Sequence, residues 1–204
     1  MNLIFMRHGE ATDNVKELIS DKEIYWSILT EKGIQTVKES ICSLPKEIDM
    51  MYVSPLPRTI ETAHYVYEKY SPVSVEIDDR IREIKYGKYS HCKNNDELDE
   101  VRKKQIAGDY MIRFGDYGEN KLEIEKRLSS FLIDVSNTNF KNVLIISHGS
   151  VISYMKRLLN VKSSHIQKGK VEIFNDVSFD YLLNYFDYLN GMSDDIENVF
   201  IKNS

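Results

Sequence analysis

The sequence predicts an α/β fold, in which a single three-layer αβα domain is built around a mostly parallel central sheet. Short continuous apolar runs at Leu3–Met6 and Val143–Ser147 are typical of strands that are buried on both faces of a parallel sheet. Helical stripes of apolar residues alternate with such runs, which predicts helices on both faces of the sheet. The chain of 204 residues, 42% of them hydrophobic, is long enough for one large core and short for two domains.

The first half of the chain contains three predicted strands and two predicted helices. Thr30 is a suitable N-cap for the first helix, because its side chain can accept a hydrogen bond from a free backbone N–H. Pro57 suits the first position of the second helix, which we expect to run to about Tyr70, since proline lacks only an N–H that has no partner there. The three strands are predicted at residues 3–6, 48–54 and 73–77.

The second half begins with a polar, glycine-containing segment, residues 86–118, which we interpret as an excursion over the sheet edge with some helix in its middle. An apolar stripe after Lys121 predicts a helix, and another helix follows the Val143–Ser147 strand. The last two strands are predicted at Val171–Phe174 and Val177–Leu183. The C-terminal aromatic residues are expected to pack on the sheet or to form a contact between the subunits of a homodimer: Tyr181, Tyr185, Phe186 and Tyr188.

Charge and composition exclude several classes of partner. The formal net charge is −5 and the pI is about 5.6, so the surface as a whole repels nucleic acid and anionic lipid. Two cysteines, Cys42 and Cys92, are too few for the disulfide framework of a secreted domain. No apolar run has the length of a membrane span, and the first residues are too few for a signal peptide. We therefore expect a cytoplasmic protein that binds neither nucleic acid nor membranes.

Charged and polar side chains follow three of the predicted strands. Arg7 and His8 follow the first strand, Arg58 lies one turn beyond the second, and His148 and Gly149 follow the Val143–Ser147 strand. Ligands of open α/β sheets bind beyond the carboxyl ends of the strands. If the three strands are neighbours, the two arginines and two histidines face one small volume.

Such a cluster of cationic groups indicates an anionic ligand. Each pair of like charges costs a few kcal/mol at about 4 Å and an effective dielectric constant of about 20. An oxyanion between the charges reverses the sign of that energy, and the planar guanidinium group of arginine matches the oxygens of phosphate. Each residue alone has a simpler explanation, since single histidines and arginines are more often structural or solvated. The repeated placement at three strand ends favours a phosphate site.

The ordered series of motifs resembles the histidine phosphatase superfamily, whose fold is that of phosphoglycerate mutase. Its first block resembles Arg7-His8-Gly9, with Glu10, Ala11 and Asn14 following. The later blocks extend over nearly the whole chain and resemble Leu29-Thr30 with Gly33, Ser54-Pro55 to Ala63, Arg80 to Gly87, Gly118-Glu119-Asn120 with Arg127, Ser147-His148-Gly149 and Asn175. Ser90 and Asn120 depart from the family, which often has glycine and serine at these positions.

The resemblance implies a role for each matched residue. His8 would be the nucleophile that attacks phosphorus, and Glu83 would be the acid that protonates the leaving oxygen and later activates water. The phosphate-binding residues would be Arg7, Asn14, Arg58, His148 and Gly149. Residues 86–118 would form a cap over the active-site mouth. No spacing of His, Cys and Asp suggests a metal site, and the scheme needs no cofactor.

The resemblance implies a phosphomonoesterase acting on a small phosphorylated metabolite, but two alternatives stay open. The first is a phosphoglycerate mutase-type enzyme, although confident counterparts of the arginines that bind the substrate carboxylate of mutases are absent from the sequence. The second is a weakly active protein that keeps the pocket to bind phosphate for regulation.

Two further groups of residues have no assigned role in the chemistry. Positive charge near the mouth, or alternatively a solvated face, is provided by Lys85, Lys88, Lys93 and residues 102–104. We expect three other histidines to be structural or solvated: His64, His91 and His165.

Overall fold

Five strands form the central sheet of the computed structural model, which describes residues 1–22, 27–70, 73–162 and 165–202, with side chains up to residue 192. The spatial order of the strands is β3-β2-β4-β1-β5. β1 is parallel to β4, and β2 is parallel to both β4 and β3, whereas β5 runs antiparallel to β1 at the other edge. The strands are β1 Asn2–Arg7, β2 Met50–Val53, β3 Ser74–Ile77, β4 Asn142–Ser147 and β5 Val171–Phe174.

Two helical layers cover the sheet, and the core is therefore divided into two halves. The helices are α1 Thr12–Val15, α2 Glu31–Ile41, α3 Pro57–Tyr70, α4 Asp96–Ile106, α5 Lys121–Ser136, α6 Gly149–Leu158 and α7 Asp180–Lys202. Alternate residues of β1 point to opposite sides, so that Leu3 and Phe5 pack in the half with α5 and α6, and Ile4 and Met6 pack in the half with α2 and α3. The predicted three-layer α/β domain with a mostly parallel sheet is confirmed.

The helix starts follow from the residues that precede them. The Thr30 side chain accepts a hydrogen bond from the Gly33 N–H at 3.0 Å, which confirms the predicted cap of α2. Asn120 caps α5 in the same way, accepting from the Glu123 N–H at 2.9 Å, while the Glu123 carboxylate accepts from the Asn120 N–H. Because asparagine is as good an N-cap as serine, the departure at Asn120 preserves the structure of this block.

Residues 86–118 leave the sheet and return to it at α5. The segment starts with a 3-10 helix, Gly87–Tyr89, which follows another at Asp79–Ile81, and it contains α4 in its middle, as predicted. Its backbone is tied to the segment after α1, because the Ile19 N–H donates to the Cys92 carbonyl at 2.9 Å and the His91 N–H donates to the Ile19 carbonyl at 2.7 Å. Asp21 accepts from the Tyr86 N–H at 2.6 Å and from the Ser90 hydroxyl. These contacts place residues 86–92 beside the segment that follows α1.

The predicted strand at Val177–Leu183 is wrong. A helix, α7, begins at Asp180, whose N–H donates to the Ser178 hydroxyl at 3.2 Å. Leu182 and Leu189, seven residues apart, are both fully buried and lie on one face of this helix. The aromatic residues from Tyr181 to Tyr188 are therefore helical, and Tyr185 packs against the half of the core that contains Phe5 of β1. Their predicted contact between subunits stays a prediction.

Cys42 and Cys92 are free and exposed. Within the part of the chain that the structure describes, no helix has both the length and the apolar character needed to cross a membrane.

Candidate active site

The three strand ends that carry the predicted site residues are adjacent. β4 lies between β1 and β2, with Arg7 paired to Ser147 across the parallel ladder. The chain leaves the sheet at the same level in all three strands, since the His8 N–H donates to the Ser147 carbonyl and the Ser54 N–H donates to the Ile146 carbonyl, each at 3.0 Å. His8 and His148 consequently face each other, with their ring centroids 5.2 Å apart.

The ring of His8 is held in one orientation by its own backbone. Its Nδ1 lies 2.7 Å from the Gly9 carbonyl oxygen, to which it donates, so that the unprotonated nitrogen is Nε2. Nε2 accepts a hydrogen bond from Arg58 Nε at 3.2 Å. Burial, and then the positive charges of Arg58 and Arg7, lower the pKa of His8 well below its usual value. His8 is therefore a neutral imidazole that presents a free electron pair towards Arg58.

Arg58 lies at the centre of the cluster and is almost fully buried. Besides His8, its guanidinium group donates to the Ser20 carbonyl at 2.7 Å and to His148 Nδ1 at 3.1 Å. The Asp13 carboxylate lies 3.8 Å from Nη1. Arg58 comes from the first turn of α3, which Pro57 begins, so the register of that helix directs the side chain inward.

His148 is fully buried behind Arg58. Because Nδ1 accepts from Arg58, the proton of the neutral ring lies on Nε2, which donates to the Ser54 hydroxyl at 2.7 Å. Burial and the charge of Arg58 lower the pKa of His148 well below its usual value, which keeps the ring neutral.

Glu83 supplies the carboxyl group of the cluster. Its Oε2 lies 4.0 Å from His148 Nδ1, and its Oε1 accepts from the Ile84 N–H at 3.0 Å. Burial raises the pKa of Glu83, and this effect outweighs the opposing charges of Arg58 and Arg7. A carboxyl group with a raised pKa can hold a proton at a pH where an exposed glutamate is ionised, as a general acid requires.

His8, Arg58 and Glu83 line a cavity of about 270 Å³, which we call the reaction pocket. His148 lies outside this lining, and its predicted contact with phosphate stays a prediction. Asn14 also lines the reaction pocket, while the Asn14 side-chain oxygen accepts from the Ala11 N–H at 3.1 Å. Tyr86 forms part of the wall, and burial raises its pKa to about 12, so the phenol adds no negative charge. The other lining residues are Arg7, His8, Asp13, Glu17, Leu18, Ile19, Ser20, Arg58, Glu83, Asn94, Arg102 and Lys168.

Gly149 contacts Arg7. A Cβ atom at Gly149 would lie 2.9 Å from the Arg7 guanidinium carbon, which is closer than non-bonded carbons approach each other. The Arg7 guanidinium also donates to the Ile166 carbonyl at 3.0 Å and lies 2.8 Å from His165 Nε2. The structure thus places Gly149 beneath a lining residue and outside the lining itself, and its predicted contact with phosphate stays a prediction.

Several residues near the site have no signal in the sequence. Asp13, Ser20 and Lys168 line the reaction pocket from loops or from a one-turn helix, where neither periodicity nor a strand end marks them. His165, which we expected to be structural or solvated, is exposed and its Nε2 lies 2.8 Å from the Arg7 guanidinium group, so it supports a lining residue of the pocket. Among the described residues, no group of three or more His, Cys, Asp or Glu side chains could hold a metal ion.

A second cavity of about 230 Å³ adjoins the reaction pocket, and we call it the side pocket. The two cavities share Tyr86 and Arg102. The remaining lining residues of the side pocket are Ile84, Gln105, Ile106, Phe114, Ser150, Ser153, Tyr154, Arg157 and His165.

The fold and the site together define a class of protein: an α/β enzyme in which a neutral histidine, three arginines and a carboxyl group surround a pocket at the carboxyl edge of a parallel sheet. The pattern of the histidine phosphatase superfamily (branch 1) matches residues 3–179, most of the chain. The chain belongs to the histidine phosphatase superfamily, and it is an enzyme of the phosphatase type.

Two curated proteins illustrate the similarity. A protein of Hydrogenobacter thermophilus with the provisional name phosphoserine phosphatase 2 is 28% identical over 162 residues, which cover 77% of each chain. The 2,3-bisphosphoglycerate-dependent phosphoglycerate mutase of Thermoplasma acidophilum is 35% identical over 107 residues, about half of each chain.

Solved structures share the fold. The α-ribazole phosphatase of Shigella flexneri superposes with a TM-score of 0.70 at 24% identity and covers 85% of this chain and 89% of its own. The phosphoserine phosphatase of Entamoeba histolytica, in complex with phosphoserine, has a TM-score of 0.69 at 23% identity and covers 87% of this chain and 92% of its own. The expected phosphoglycerate mutase-like fold is thereby confirmed.

Proposed function

We propose that the protein is a metal-independent phosphomonoesterase that acts on a small phosphorylated metabolite through a phosphohistidine intermediate. The observation that carries this proposal is the orientation of His8. Its Nδ1 donates to the Gly9 carbonyl, and its free Nε2 faces the guanidinium group of Arg58. An anion bound by Arg58 would therefore lie next to the nucleophilic nitrogen.

In the first step, His8 Nε2 attacks phosphorus and the bond from phosphorus to the ester oxygen breaks. Arg7, Arg58 and Asn14 would bind the phosphoryl oxygens, because all three line the reaction pocket. Protonated Glu83 donates its proton to the leaving oxygen. The Arg58 donors that now contact His8 and the Ser20 carbonyl would turn to the phosphoryl group as it binds.

In the second step, water attacks phosphorus and the bond from phosphorus to Nε2 breaks. The Glu83 carboxylate formed in the first step accepts the proton of this water, which restores the acid for the next cycle. His8 returns as a neutral imidazole, because the charges of Arg58 and Arg7 disfavour its protonated form. Inorganic phosphate is the second product.

Hydrolysis of p-nitrophenyl phosphate from pH 5 to 9, in the presence of EDTA, tests the proposal. We expect metal-free activity that falls at least 1,000-fold in His8→Ala, since the residual rate lacks the covalent route. His64→Ala is a matched control, because His64 lies exposed on α3, where it pairs with Glu68 at 3.5 Å, and it is not among the residues that line the reaction pocket. Activity that needs added metal, or that persists in His8→Ala, would contradict the proposed mechanism.

A mutase is the second candidate, favoured by the 35% identity to the Thermoplasma acidophilum mutase. It would return the phosphoryl group to a glycerate instead of water. Incubation with 3-phosphoglycerate and 2,3-bisphosphoglycerate separates the two reactions, since a phosphatase releases inorganic phosphate and a mutase forms 2-phosphoglycerate. Tight binding of inorganic phosphate without turnover in either assay would identify a phosphate-binding regulatory protein.

A further inference from the structure

The side pocket lies between two helices whose facing residues leave a gap. α6 lines the gap with residues at helical spacing: Ser150, Ser153, Tyr154 and Arg157. α4 lines it with Arg102, Gln105 and Ile106, again on one face. Small serine side chains stand where larger ones would fill the space, so a cavity of about 230 Å³ remains.

The side pocket lies next to the reaction pocket. Tyr86 and Arg102 line both cavities, and His165 lines the side pocket while its Nε2 lies 2.8 Å from the Arg7 guanidinium group. The reaction pocket alone, at about 270 Å³, is below the range of about 300–1,000 Å³ that is usual for ligand sites. A leaving group that is too large for the reaction pocket would have to pass Tyr86 and Arg102 to reach the second cavity.

The lining of the side pocket suits a flat aromatic group. Three aromatic side chains line the cavity: Tyr86, Phe114 and Tyr154. The ring centroids of Tyr86 and Phe114 are 4.9 Å apart, and the Arg157 guanidinium group lies 4.3 Å from the Tyr154 ring. Aromatic rings pack favourably on one another, and guanidinium groups stack on their faces. Ile106 is 80% exposed beside the cavity, where a bound apolar group could contact it.

We infer that the side pocket binds the leaving group of the substrate, and that this leaving group carries an aromatic or heteroaromatic ring. The inference rests on the proposed function, because it assumes that the phosphoryl group occupies the reaction pocket. It assigns specificity to residues of α4 and α6 that take no part in the chemistry. Arg157 is exposed and lies 4.3 Å from the Tyr154 ring, so its guanidinium group can stack on a bound ring as well.

Binding of phosphonates tests this inference without any turnover. Propylphosphonate, 3-cyclohexylpropylphosphonate and 3-phenylpropylphosphonate share one head group and one linker, and their dissociation constants can be measured by calorimetry. We expect the phenyl compound to bind at least 10-fold more tightly than the propyl compound, with the cyclohexyl compound in between. Equal affinities of the three compounds would overturn the inference, and an advantage of cyclohexyl over phenyl would overturn the aromatic preference.

Two variants test whether the side pocket produces the preference for the phenyl compound. Ser153→Phe would fill the cavity and reduce the ratio of phenyl to propyl affinity to within twofold of one. Arg157→Met removes the guanidinium group of an exposed residue, and we expect it to reduce the ratio at least threefold. Arg113→Met is the matched control, because Arg113 lies in residues 86–118 outside both cavities. Thermal melting checks that each variant folds, and an unchanged ratio in folded Ser153→Phe and Arg157→Met would contradict the assignment.

Hydrolysis of the corresponding phosphate monoesters separates this inference from the proposed function. If His8-dependent hydrolysis favours 3-phenylpropyl phosphate, both are supported. Hydrolysis of all three esters at equal kcat/KM would support the phosphatase and overturn the side-pocket assignment. Selective phosphonate binding without hydrolysis would support the side pocket and contradict the proposed function.

Discussion

At the scale of single residues, Glu83 is the group whose protonation the reaction uses twice. It lies in a loop between two 3-10 helices, and its raised pKa depends on burial, which the sequence does not state. Only the resemblance to a known family could identify it. His8, Arg7 and Arg58 could be predicted from the residues themselves, because two buried strands and a proline at a helix start are recognisable patterns.

Replacement of Glu83 by glutamine separates its two roles. We expect a burst of about one equivalent of p-nitrophenolate per active site, followed by slow turnover, because this leaving group departs without a proton whereas water still needs a base. Hydrolysis of an alkyl phosphate, which needs the acid, should fall about 100- to 10,000-fold. Rapid-mixing absorbance and trapping of acid-labile phosphohistidine provide the measurement.

A suitable control for this experiment is Glu125→Gln. Glu125 is also a buried carboxyl group, and burial raises its pKa, but it lies on α5 and hydrogen bonds to Tyr185 at 2.6 Å, away from the reaction pocket. It should show no burst and normal turnover. Undiminished steady-state turnover in Glu83→Gln would exclude Glu83 as the catalytic base.

At the scale of elements, the strands and most helices could be predicted because each satisfies a local rule that its surroundings do not override. The local rules failed at Val177–Leu183, where they predicted a strand and the structure has the start of α7. Val177, Phe179 and Tyr181 alternate with polar residues, as in a strand, but the buried positions Leu182 and Leu189 have helical spacing. The short window favoured the strand, and only the longer window contains the helical period. The side pocket could not be predicted either, since it depends on the distance between α4 and α6.

The first residue of α6 controls the position of Arg7. Gly149→Ala would place a methyl group 2.9 Å from the Arg7 guanidinium carbon and displace that group from the pocket. A charge-assisted hydrogen bond contributes about 1.5–3 kcal/mol, so we expect the inhibition constant of inorganic phosphate to rise at least about 10-fold. Competitive inhibition assays measure this effect, and an unchanged constant would show that phosphate binding does not depend on Arg7.

Gly191→Ala gives the matched control at the element scale. Gly191 lies within α7, and a Cβ atom there would meet nothing within 4 Å. Alanine should therefore stabilise the protein by up to about 1 kcal/mol and leave the inhibition constant unchanged. Opposite effects of the same substitution in two helices would show that the contact with Arg7, and not the helix, determines the outcome.

At the scale of the whole molecule, two buried histidines of the active site reduce the stability of the fold in acid. His8 and His148 are buried, and their pKa values in the folded state lie well below the ordinary histidine value of 6.5. Below pH 6.5 the unfolded chain therefore binds protons that the folded protein does not, and the free energy of unfolding must decrease as the pH falls. Glu83 acts in the opposite direction, because its raised pKa lets the folded state hold a proton that the unfolded chain releases.

A comparison of two proteins isolates the contribution of the histidines. Between pH 7.5 and 5.5, each buried histidine should lower the free energy of unfolding by about 1.4 kcal/mol, and the pair by about 2.7 kcal/mol. A His8→Asn/His148→Asn double variant lacks both groups but keeps Glu83, so its pH dependence should be smaller by that amount. Urea denaturation at the two pH values measures the difference. Equal pH dependence in the two proteins would mean that the histidines titrate normally in the folded state, and His8 would then be protonated, and unable to attack phosphorus, over much of the range below pH 6.5.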